Sequence, residues 1–214
     1  MRVARCGIAV VLVFTASAQT DFRQAIWGMT PAQVRASETN RPNRERESNR
    51  EILLEYDAIR FGTLSARLIY IFAANKLVRA KYIFSAVHDD PNEFIADYRT
   101  IEPVLIESHG KPTSARAVWE DDSTQDEPKS YLDQDRATPA SILPSDPLVG
   151  LAVSLGHLRL YTEWSKTRTT ILHALSSNNR NIIHQLEYRG VALEPLENAV
   201  RRSPEPSNES RPQR

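Results

Sequence analysis

Between Ile52 and Val87 three apolar-alternating runs follow one another with almost nothing between them, and this fixes what the chain can become. The runs are Ile52–Phe61, Leu64–Ala73 and Leu77–Val87, separated by Gly62 and by Ala74-Asn75-Lys76. Short breaks of this kind join antiparallel strands, so the stretch predicts a meander. Its register can be read from side-chain parity. If the second and third runs pair so that residue numbers sum to 150, Phe72 meets Val78, Tyr70 meets Ala80, Leu68 meets Tyr82 and Ala66 meets Phe84. Every pair on that face is apolar, and the other face carries Ile71/Arg79, Ile69/Lys81 and Arg67/Ile83. A slip of one residue sets Tyr70 against Arg79, so the apolar face selects the first register, closed by a three-residue loop with Asn75 near the left-handed region.

Helices flank this meander. Thr30-Pro31-Ala32-Gln33 supplies an N-cap, a proline at the first helical position and the glutamine of a capping box, with Met29 and Val34 at the staple positions. A short helix over 31–38 follows. A longer one starts at Asp90-Pro91, carries Phe94, Tyr98, Ile101 and Leu105 on one stripe, is expected to bend or start a new turn at Pro103 and stops at His109-Gly110. A strand over Ala115–Trp119, a short helix over 148–156 and strands over 157–165, 168–177 and 181–191 complete the order. The expectation is an α+β fold in two layers. Helices pack on one face of antiparallel sheet, the other face meets solvent, and a helix plus three-strand meander occurs twice.

Polar stretches divide the chain. Residues 39–50 lack any apolar side chain, and 120–147 are mostly polar with four prolines. Together with a tail over 193–214, these read as loop or disorder, because they bury too little to offset their ordering entropy. The resulting map is 1–18 leader, 19–119 first half with the long helix 91–109, 120–147 polar loop, 148–192 second half and 193–214 tail.

Arg2 and Arg5, the apolar run Ile8–Phe14 and Ala16-Ser17-Ala18 form the three parts of a cleavable export leader, with cleavage before Gln19. The apolar run is too short to span a bilayer, so no permanent membrane anchor is expected. Cys6, the sole cysteine, lies in the leader and has Arg5 before it, where a lipidation site needs a small residue. The exported chain therefore has neither disulfides nor a cysteine nucleophile. Without Arg2 and Arg5, 25 basic face 27 acidic residues, which argues against nucleic acid as partner.

Trp27-Gly28-Met29-Thr30-Pro31-Ala32-Gln33-Val34 resembles the helix start of the β-lactamase-inhibitory-protein and small outer-membrane lipoprotein group, whose inhibitors also repeat a helix and meander in tandem. The resemblance implies a periplasmic or extracellular protein that binds other proteins through an open sheet face. The chain lacks that group's lipidated cysteine and its disulfides, and no inhibitory loop can be matched.

Little chemistry is written in the residues. A hairpin turning at Asn178-Asn179, with numbers summing to 357, sets His173 opposite His184 among Ile171, Leu175, Ile182 and Leu186. These histidines are the candidate metal ligands, yet two fall short of the three or four that zinc requires, so the pair reads as neutral and structural. Asp90 reads as a helix cap, with His88 and Asp89 beside it, and His109 as a helix-end cation. No G-x-S-x-G elbow, calcium loop or phosphate-cradling glycine loop is present, and no cofactor is expected. Arg67, Arg79, Lys81, Arg159 and Tyr161 fall on the solvent-facing side of the strands and are the candidate protein-binding residues. The function expected is an exported, non-enzymatic protein-binding or envelope-assembly module. The alternatives are a small metal-dependent hydrolase built on the histidine pair, or an inhibitor of a secreted enzyme.

Overall fold

A computed structural model describes residues 20–48, 50–120, 148–178 and 181–202. The leader and the 120–147 loop, Glu120 apart, lie outside the described residues. The elements are α1 (Pro31–Ser37), β1 (Arg44–Ser48), β2 (Glu51–Phe61), β3 (Leu64–Ala73), β4 (Lys76–Phe84), α2 (Pro91–His109), β5 (Ser114–Trp119), α3 (Val149–Ser154), β6 (Leu158–Ser165), β7 (Thr169–Ser177), β8 (Ile182–Gly190) and α4 (Glu194–Arg202). All eight strands form one antiparallel sheet in the order β1-β2-β3-β4-β8-β7-β6-β5. The two halves of the chain thus share a sheet, joined where β4 pairs with β8.

Local chemistry explains the helix ends. Thr30 caps α1 and Gln33 reaches back to the Thr30 amide at 2.9 Å, closing the capping box. Asp90 caps α2 by accepting from the Asn92 amide at 2.8 Å, and the helix runs through Pro103 to the positive-φ Gly110.

One face of the sheet carries the main core. Leu54, Tyr56, Leu68, Tyr70, Phe72, Tyr82 and Trp164 are buried there with Ile101 and Leu105 of α2 and Val34 of α1. A second cluster joins Ile95 and Tyr98 of α2 to Val149, Ala152 and Val153 of α3 over Leu158, Leu160 and Leu175. On this side the expected packing of helices on sheet is found.

The other face departs from expectation. Ile69, Ile71, Ala73 and Val78 are buried beneath Leu193, Leu196 and Val200, because α4 crosses that face of β3 and β4. The residues read as the start of a disordered tail therefore form a helix, with Pro195 in its first turn, where a missing amide costs nothing. Residues 203–214 lie outside the described set. Residues 39–50 also depart from the loop reading. Arg44–Ser48 form an edge strand whose side chains are all exposed, so it is held by backbone pairing to β2 rather than by burial.

Both hairpin readings kept parity and missed the turn. In β3–β4 the pairs from Ala66/Phe84 to Ile71/Arg79 follow the expected register. A bulge then brings Phe72 to Leu77 in place of Val78. The bulge lets a two-residue turn close the hairpin, with Ala74 at φ 47° and Asn75 at φ 62°. In β7–β8 the ladder is displaced by two residues, so His173 meets Leu186 and Leu175 meets His184. A shift of two leaves every side chain on its predicted face.

Candidate functional site

The second face of β5–β8 holds a groove of about 520 Å³. It is lined by Arg116 and Val118 of β5, Tyr161 and Glu163 of β6, Thr170 and Leu172 of β7, Glu187 and Arg189 of β8, and Glu194 of α4. Strand alternation puts them together: 116/118, 161/163, 170/172 and 187/189 are same-face positions on four adjacent strands. Arg116 and Glu163 approach only to 4.0 Å, and the Arg116 side chain is half exposed, so both retain capacity for other partners.

Beside the groove, α4 is tied down by charge. Glu197 is buried and ion-paired at 2.8 Å to both Arg79 and Arg201. Glu187 accepts from Arg79 at 3.2 Å and from Arg189 at 2.8 Å. An isolated buried carboxylate is costly, and the surrounding guanidinium groups make it tolerable.

The five residues expected to form the recognition surface are thus divided. Tyr161 lines the groove, half-buried rather than fully exposed. Arg159 is on the same strand, 3.4 Å from Glu120. Arg67 lies two strands beyond the β4–β8 seam, with Arg44 and Arg46 around Glu55. Lys81 is half-buried, and burial lowers its pKa, offset in part by Glu187. Arg79 is withdrawn from the surface by Glu187 and Glu197, its side chain only 12% exposed. Glu163 was placed with Tyr161 on the face opposite Trp164, whereas sequence reasoning missed Arg116, Leu172, Glu187, Arg189 and Glu194. The first four of these were legible as same-face positions once strand order was known. Glu194 required recognising α4, whose Leu196 and Val200, with Leu193 just before it, have helical spacing.

The histidine pair lies on the core face instead. His173 and His184 are buried, their Nε2 atoms 2.8 Å apart. One ring donates and the other accepts, and among the described residues neither Nδ1 has a hydrogen-bond partner. Tyr98 stacks on His173 at 4.0 Å and donates or accepts a hydrogen bond with Thr162 at 2.8 Å, while Phe84 lies 4.2 Å from His184. Burial pushes the His184 pKa down to about 3, and burial with the adjacent His184 pushes His173 well below the ordinary range. Two imidazoles on one tetrahedral zinc stand about 3.3 Å apart, given zinc–nitrogen bonds near 2.05 Å. The observed spacing is that of a hydrogen bond. Among the described residues no three His, Asp or Glu side chains converge as a metal site. His88 is held by Glu93 and Asp97, each at 2.7 Å on a different ring nitrogen, which raises its pKa chiefly through Asp97.

No protein family, curated protein or solved structure matches the chain. Among the described residues no helix is long and apolar enough to cross a membrane.

Proposed function

We propose that the chain is an exported, non-enzymatic module that recognises another protein, in the periplasm or outside the cell, through the groove on the second face of β5–β8. The observation that carries the reading is the composition of that groove. Val118 and Leu172, one tyrosine and charges of both signs, of which Arg116 and Glu163 are only loosely paired, make up the kind of surface that protein interfaces use. A duplicated, two-layer arrangement, with each half contributing helices to the core face and leaving part of the second face for contact, is the architecture we attach to this function. The hydrolase alternative draws no support from His173 and His184, which are enclosed and bonded to each other.

The test is position-specific photocrosslinking in the native host. A benzoylphenylalanine at position 161 is expected to form an adduct with one polypeptide, lost when Leu172→Asp is added. The same probe in place of Arg99, exposed on α2, is expected to form none. Adducts from both positions, or from neither, overturn the groove as the interface. Export is checked by N-terminal sequencing, expected to begin at or within two residues of Gln19. A chain that retains Met1 overturns it.

A further inference from the structure

Rotating Lys81 onto Glu187, the two residues of one rung at the β4–β8 seam, superposes the halves of the sheet in register. It carries β4, Lys76–Phe84, onto β8, Ile182–Gly190, end for end. The ladders then fix the remaining equivalences. Tyr82 falls on Tyr188 and Tyr56 on Trp164, all on the core face. Arg46 falls on Arg116 and Glu55 on Glu163, so the ion pair at 3.4 Å in the first half returns at 4.0 Å in the second.

The same operation acts on the bed of α4. In the first half Leu53, Ile69 and Ile83 help receive Leu193, Leu196 and Val200. Their images are Tyr161, Leu172 and Arg189, and all three line the groove. The first bed is filled by a helix of this chain, whereas no described helix fills the second. We infer that the groove is a second helix bed, and that its occupant is an amphipathic helix of the partner protein. Its apolar residues follow the three-then-four spacing of 193, 196 and 200. The one image that exchanges an apolar residue for a charge is Arg189, which is already paired with Glu187 at 2.8 Å. The inference rests on the recognition reading and names the element recognised.

The probe is a peptide of residues 191–202, which has this spacing, titrated into the full-length isotope-labelled protein with a nitroxide on the peptide. Saturable broadening of the Thr170 and Leu172 amides is expected, with a gain in peptide helicity. Leu172→Asp is expected to weaken binding about tenfold or more, equivalent to about 1.4 kcal/mol. Tyr161→Asp is the second variant should Leu172→Asp fail to fold. Broadening centred on Ile69 and Ile71 means that the peptide has replaced α4, and overturns the inference. So does binding that survives both variants, or no broadening up to about 1 mM peptide, a limit of about −4.1 kcal/mol. Photocrosslinking in the host is independent of this titration. An adduct at position 161 without peptide binding retains the recognition reading and removes the helix. Peptide binding without an adduct does the reverse.

Discussion

Lowering the pH from 7 to 5 puts the buried histidine pair under a load that can be worked out in advance. His184 has a native pKa of about 3 against an ordinary 6.5. At pH 5 the unfolded chain carries a proton on almost every copy of this residue and the native chain on almost none. The unfolded state therefore binds more protons, and stability must fall as pH falls. Integrated linkage over this window gives about 2 kcal/mol lost for His184 alone. His173 adds to the loss in the same direction, since burial and its neighbour both depress its pKa. His109 acts likewise, through burial and Lys166, whereas His88, with its raised pKa, contributes stability below 6.5 that is lost as pH rises through its native value. The control is the double variant His173→Leu, His184→Leu, which removes donor and acceptor together and leaves His88, His109 and His157 in place. Urea unfolding at pH 7 and pH 5 should show wild type losing at least about 2 kcal/mol more than the double variant. Equal losses, or a wild type that is the less acid-sensitive of the two, would refute the neutral, hydrogen-bonded assignment.

Two further outcomes test the packing. Glu197→Ala removes one of the two carboxylates that hold the mostly buried Arg79, leaving Glu187, and should cost about 1–3 kcal/mol in unfolding experiments while speeding amide exchange across 191–202. Unchanged exchange there would mean that charge does not hold α4 on the sheet. Gly150→Ala forces a Cβ to within 2.5 Å of the Asn92 backbone nitrogen, where α3 meets the start of α2, and should cost about 1–3 kcal/mol by denaturant midpoint. A neutral result would place α3 farther from α2.

Much of the sheet was readable because parity is a local property. Ala66–Ile71 against Arg79–Phe84 is set by which side chains are apolar, and the histidines landed on the core face although their rung was misplaced by two. Turn geometry was less accessible. Nothing in the residue type announces Ala74 at positive φ, and the bulge that permits it is settled by both strands together. Arg44–Ser48 and Glu194–Arg202 were missed for a different reason. Their stability comes from β2 and from the second face of β3 and β4, so polar composition and a proline outweighed any local cue. The groove was obscured for the same reason. Its walls come from β5, β6, β7, β8 and α4, and only the strand order brings them together.

The seam between β4 and β8 also dictates an order of events. Residues such as Lys81 and Glu187 are paired across about half the chain, whereas β2, β3 and β4 pair with immediate neighbours. Contacts so distant in sequence are entropically late, so the local hairpins form first and the seam closes last. During synthesis the edge of β4 has no partner until residue 190 has emerged, and for all that time it is the strand most exposed to mispairing. Lys76, Arg79 and Lys81 lie along it. Charges on an open edge discourage pairing with another copy, so these residues act as guards of the nascent chain before two of them face Glu187 in the finished one.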